Sequence, residues 1–188
     1  MHMDIDFERR LIAQCAPTLA GLKAGSLLVW NNVRTGDLPL VIDQWNNLLN
    51  KKGIYIELLK LCKGRCLLYV YRRDQLKKLI AKNEIREFLF RYGYENSDDA
   101  ERNLNRLCQR VSDAKEFPHE IGVFLGYPLH NVVGFIQNNG KNACYCGCWK
   151  VYADKEEAIR VFTRIKKCCD TYRALFEKGY PLTKLEVA

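Results

Sequence analysis

The segment from residue 119 to residue 158 constrains the fold more than any other part of this sequence. An apolar run at 121–125 is followed by the turn signal Gly126-Tyr127-Pro128, a helical pattern over 129–137 and then Gly140. Short apolar runs bounded by turn residues are typical of buried strands, and a 3.6-residue period is typical of helices. The segment therefore predicts a strand at 121–125, a helix, a second strand at 144–152 and a last helix over about 154–178.

The rest of the chain gives the same mixture of patterns. A first helix is predicted to end at Pro17, a strand follows at 26–30, and a hairpin is predicted from runs at 54–61 and 66–71 around Gly64. Helical periods occupy most of 38–52 and 74–111. We predict an α+β fold that forms a single domain over residues 1–188, with a mixed sheet of about five strands covered by helices.

Charge and hydropathy disfavour several classes of function. The net charge is +8, but the basic residues are interleaved with acids, as on an ordinary solvated surface, so nucleic acid is not the expected partner. The first ten residues are charged and lack an apolar core, and no run of 18 apolar residues occurs, so neither a signal peptide nor a membrane span is expected. A cytoplasmic protein with nine reduced cysteines is the expectation.

Three thiols at alternate positions form the densest chemistry in the sequence. In an extended strand Cys144, Cys146 and Cys148 share one face with Lys150, and their spacing of about 6.7 Å disfavours disulfides between neighbours. A bend at Gly147 would let thiolates converge on zinc, iron or an iron–sulfur cluster. The spacing matches neither a paired C-x2-C zinc motif nor a ferredoxin run, so a strand that packs its thiols in the core is the alternative. Further metal ligands supplied by the fold would be Cys15, Cys168 and Cys169.

Two other classes of function remain open. A thiol-dependent enzyme would use Cys15 or Cys148 as nucleophile and His119 as base. A basic interaction module would bind nucleic acid or an acidic protein. The helical arginine row at 102, 106 and 110 is suited to phosphates, and a solvated face beside Asp98, Asp99 and Glu101 is the alternative. The sequence contains no G-x-S-x-G, P-loop or G-x-G-x-x-G motif that would favour a particular enzyme class.

Three segments carry a family resemblance: CAPTLAGLK at 15–23, HEIGVFLGYP at 119–128 and GCWKVY at 147–152. With these segments the chain resembles an uncharacterised family of anaerobic Firmicutes that is known only as a domain of unknown function. The resemblance spans nearly the whole chain and implies no established activity, fold or catalytic residue. It implies an iron or redox setting, with a redox or iron-uptake protein as the partner. The leading hypothesis is therefore an accessory or sensor protein that ligates iron or zinc through cysteine.

Overall fold

The computed structural model describes residues 5–31, 36–113 and 116–185. The helices there are α1 (Ile5–Leu19), α2 (Leu38–Leu49), α3 (Arg73–Ile80), α4 (Asn83–Phe90), α5 (Ala100–Asp113), α6 (Ile121–Phe124), α7 (Leu129–Gln137) and α8 (Lys155–Glu177), with short 3₁₀ turns at Asn50–Lys52 and Leu182–Lys184. The strands are β1 (Gly25–Trp30), β2 (Ile54–Cys62), β3 (Arg65–Arg72), β4 (Tyr145–Cys146) and β5 (Lys150–Val151). Within these ranges no helix combines the length and the apolar character needed to cross a bilayer.

A three-stranded antiparallel sheet in the order β1-β3-β2 forms the centre of the fold. The central strand β3 is covered on both faces: Cys66, Leu68 and Val70 point to one side, and Tyr69 and Tyr71 point to the other. Burial on both faces explains why β3 is a nearly continuous apolar run and not an alternating one. The predicted hairpin of β2 and β3 is confirmed.

Each face of this sheet carries its own hydrophobic cluster. One cluster joins the sheet to α1, α2 and α8, and α8 packs along α1. The other joins the opposite face to α3, α4, α5, α6 and α7. The α+β class is confirmed. The described strands number five, but they lie in two separate antiparallel sheets, since β4 and β5 pair only with each other, and not in the one mixed sheet that was expected.

The predicted strand at 121–125 is wrong, because this run forms the single helical turn α6. All four residues of α6 are buried, and its Gly122 lies so close to α7 that a Cβ there would stand 2.9 Å from Val132. A five-residue apolar run does not distinguish a buried strand from a buried helical turn. The predicted end of the first helix at Pro17 is also wrong, because α1 contains Pro17 and continues to Leu19.

The three arginines in the row on α5 each have an ion-pair or hydrogen-bond partner within the protein. Arg102 pairs with Glu95 at 3.1 Å, and Arg106 donates to the Gly93 carbonyl at 3.0 Å. Arg110 pairs with Glu120, which is only 2 % exposed. The residues that suggested a phosphate-binding face thus have internal partners.

Candidate functional site

The three cysteines at alternate positions lie on a small hairpin and not on one straight strand, so the predicted strand at 144–152 is wrong in form. We call residues 144–151 the cysteine hairpin. Tyr145 pairs with Val151, Cys146 pairs with Lys150, and the turn at 147–149 is closed by a 3.1 Å hydrogen bond from the Gly147 amide to the Trp149 carbonyl. The expected bend at Gly147 is therefore present.

Tertiary packing explains why the bend occurs at this glycine. A Cβ at Gly147 would stand 2.2 Å from the ring of Phe162 on α8, so only glycine lets the hairpin approach the helix this closely. Behind the hairpin, the buried side chain of Asn131 accepts hydrogen bonds from the amides of Tyr152 and Ala153, at 2.7 Å and 3.3 Å. The hairpin is thus held between α7 and α8.

The bend directs the three thiols to different surroundings. All three cysteines are exposed and free of disulfides. The Cys144 thiol lies 3.2 Å from the Val151 carbonyl, Cys146 borders a cavity, and Cys148 lies near Lys23. Over the described parts of the chain, no three Cys, His, Asp or Glu side chains are grouped as a metal site. Ligation of a metal by the hairpin cysteines stays a prediction.

Beneath the hairpin lies a cavity of about 310 Å³, which we call the hairpin cavity. It lies between the hairpin, α6, α7 and β1, and most of its wall is apolar or aromatic. Polar groups at the wall come mainly from His119, Asn131, Cys146 and Lys150. The residues that line it are Leu27, Phe117, His119, Ile121, Gly122, Leu125, Tyr127, Asn131, Val132, Phe135, Cys146, Gly147, Trp149 and Lys150.

Aromatic contacts build one wall of the hairpin cavity. The ring centroids of Tyr127 and Trp149 are 4.9 Å apart, and Trp149 meets Phe162 edge-on at 4.5 Å. On another wall His119 meets Phe135 edge-on at 4.9 Å. These packed rings give the cavity flat surfaces that match aromatic or conjugated ligands.

A second cluster lies next to Tyr127 and is centred on Lys23. The Lys23 ammonium lies 5.0 Å from the Tyr127 ring centroid. Burial lowers the pKa of Lys23, and the neighbouring sulfurs of Cys148, Cys15 and Cys169 act in the opposite direction. Three of the predicted ligand cysteines, which are far apart in the sequence, thus share one lysine as a neighbour.

The thiols of this cluster differ in access. Cys15 is completely buried, and burial raises the pKa of its thiol. Burial also raises the pKa of Cys148, while Lys23 partly offsets that rise. Cys168 is the chain neighbour of Cys169 and lies outside this cluster; burial raises its pKa to about 11, and its sulfur lies 3.6 Å from the Ala16 carbonyl. Substrate cannot reach Cys15 in this conformation, whereas Cys148 is accessible.

Comparison with known proteins gives a family. The model of a family described as "Protein of unknown function (DUF3793)" matches residues 11–186. The chain belongs to the DUF3793 family. Neither the curated proteins nor the solved structures contain a match to it. The matched region includes both the cysteine hairpin and Cys15, so the DUF3793 domain contains the whole candidate site.

Several residues of the DUF3793 site were not predicted. Lys23, Tyr127 and Trp149 were not named as site residues, although they lie in the three segments that carry the family resemblance, at 15–23, 119–128 and 147–152. Of the predicted candidates, His119 and Cys146 both line the hairpin cavity, while Cys148, Cys15 and Cys169 each interact electrostatically with Lys23. The predicted enzyme would pair His119, as the base, with Cys15 or Cys148 as the nucleophile. The structure groups His119 with Cys146 and not with either of these two cysteines.

Proposed function

We propose that this protein is an accessory or sensor protein that binds a small, largely apolar molecule in the hairpin cavity. The observation that carries the proposal is a cavity of about 310 Å³ whose wall combines packed aromatic rings with a few polar groups. Small-molecule sites generally have this composition and size, because apolar walls supply the affinity and a few polar groups set the orientation. The thiol of Cys146 borders the same space and could report on a bound ligand.

A neutral fluorescent probe tests this proposal. N-phenyl-1-naphthylamine has two aromatic units and carries no charge, and we expect the protein to bind one equivalent with an increase in emission. Leu27→Trp adds a bulky ring at a half-buried position that lines the hairpin cavity, so it should weaken binding by about tenfold or more. The emission is excited in the naphthylamine band, where tryptophan does not absorb.

Leu61→Trp is the matched control, since it makes the same change at a residue that is 36 % exposed and outside the cavity. It should bind the probe as the unaltered protein does. Absence of saturable binding, or equal weakening in both variants, would contradict the proposal. Circular dichroism of both variants checks that the fold is kept.

Cysteine ligation of iron or zinc is the second candidate function. It is favoured by three exposed, unpaired thiols within five residues of a bent hairpin. Binding through all three would require side chains to turn towards one point, because Cys146 borders the cavity while Cys148 lies near Lys23. An iron or redox protein is the partner that this function predicts.

Anaerobic titration with cobalt(II), a spectroscopic substitute for zinc, tests metal ligation. One equivalent should give a thiolate-to-metal charge-transfer band, and replacing Cys144, Cys146 and Cys148 by serine should abolish it. Cys62→Ser serves as the control, because Cys62 is exposed but lies on the central sheet. Failure to observe the band, together with less than about a tenth of an equivalent of transition metal after anaerobic purification, would eliminate this function.

A further inference from the structure

The charges at the hairpin cavity are unbalanced. Lys150 lines the cavity, and none of the described lining residues is an aspartate or a glutamate. Its ammonium lies 5.8 Å from the centroid of the Phe135 ring, which also lines the cavity. A cation held against an apolar wall without a carboxylate partner attracts an anion, since the low local dielectric strengthens the interaction.

The hydrogen-bonding capacity of Lys150 is also only partly used. An ammonium carries three N–H donors. Among the described residues, the Gly140 carbonyl accepts one of them. Donors therefore remain for a ligand that brings acceptor oxygens, as a carboxylate or sulfonate does.

Trp149 contributes an aromatic ring to the cavity wall, but its polar atom does not face the open space. Its indole Nε1 is buried and has no hydrogen-bond partner among the described residues, and Trp149 lines the cavity. This nitrogen is only a donor, and a buried donor without an acceptor is rare because it costs free energy. Because protein atoms enclose this nitrogen, a ligand in the cavity does not reach it, and the attraction for an anion rests on Lys150.

We propose that the ligand of the hairpin cavity is a flat, apolar molecule that carries one anionic group, held by the Lys150 ammonium. This inference rests on the proposed function and names the chemical class of its ligand. The aromatic walls take the flat part, while Lys150 takes the anionic group. The positive charge of Lys23, which lies 5.0 Å from the Tyr127 ring centroid, adds to the attraction.

Two probes with nearly the same aromatic skeleton separate charge from shape. 8-Anilinonaphthalene-1-sulfonate is an anion, and N-phenyl-1-naphthylamine is its neutral counterpart. Lys150→Met removes the charge and keeps an unbranched side chain that is one atom shorter, so it should weaken binding of the sulfonate by about tenfold, near the lower end of the range for a hydrogen bond to a charged group. The neutral probe should change by less than twofold, and Lys150→Arg should restore most of the sulfonate affinity.

Lys155→Met is the matched control. Lys155 also lies near the hairpin, with its ammonium 5.7 Å from the Tyr145 ring centroid, but it does not line the cavity. This variant should bind both probes as the unaltered protein does. Retained binding of the neutral probe by Lys150→Met shows that the cavity has kept its shape.

The outcomes distinguish the two proposals. If neither probe binds the unaltered protein, both the proposed function and this inference fail. If both probes bind but Lys150→Met weakens them equally, or weakens neither, the cavity binds ligands without selecting an anion and only this inference is overturned. A loss confined to the sulfonate supports it.

Discussion

Iodoacetamide applied to the native protein near neutral pH is expected to modify the cysteines of the cysteine hairpin at least about a thousandfold faster than Cys15. The hairpin thiols are exposed, whereas Cys15 is 0 % exposed within α1. Because the thiolate is the reactive form, the raised pKa of the buried Cys15 thiol further slows its reaction. Its modification requires opening of the fold, and typical stabilities of 5–15 kcal/mol leave less than about one molecule in a thousand open.

Timed alkylation followed by peptide mass spectrometry measures these rates. Raising the pH should accelerate the reaction of Cys148, the pKa of which is raised by burial, but leave Cys15 protected while the fold persists. Cys66, which is also completely buried, is the internal control and should behave as Cys15 does. In denaturant all nine cysteines should react at similar rates. Reaction of Cys15 at the hairpin rate in native protein would show that α1 is not packed as described.

Replacing Arg110 by methionine is expected to lower the free energy of unfolding by about 2–3 kcal/mol. The Glu120 carboxylate is 2 % exposed and accepts hydrogen bonds from Arg110 and from the Tyr94 hydroxyl, the latter at 3.2 Å. Removing the guanidinium would leave a buried carboxylate without its counter-charge. The expected loss lies below the 3–5 kcal/mol of a completely buried pair because the Arg110 side chain is 28 % exposed. Urea unfolding monitored by circular dichroism measures it.

Two further variants make this prediction specific. Arg102→Met removes an arginine of the same helix whose partner Glu95 is exposed, so the free energy of unfolding should stay within experimental error. Adding Glu120→Leu to Arg110→Met removes the stranded carboxylate, and part of the lost stability should return. An Arg110→Met protein as stable as the unaltered one, or a double variant with additive losses, would show that the pair does not act as a unit.

Local periodicity was sufficient to predict most of the fold. Helices such as α1 and α8 bury one stripe, and β3 is apolar throughout, so their sequences reflect the environment of a single element. The α+β class followed from these patterns. Periodicity could not predict α6, because four buried residues in a row have no exposed face to set a period.

The chemistry of the site was predicted only in part. Alternating cysteines marked the hairpin region, and Gly147 correctly suggested a bend. The direction in which the hairpin bends depends on Phe162 of α8, which packs against Gly147. The sequence of the hairpin alone therefore does not determine where each thiol points. For this reason the three cysteines, which were predicted to share one face of a strand, have three different surroundings.

By itself the sequence determined the class of the fold, the positions of most helices and strands, and the segment where reactive side chains are concentrated, because these follow from patterns within each element. Only the tertiary structure decided that Leu27, His119 and Lys150 enclose one cavity and that Cys15, Cys148 and Cys169 share Lys23. Residues so far apart in the chain come together because whole helices and strands pack against each other. The periodicity of one element shows which of its faces is buried, but it does not show which other element packs against that face.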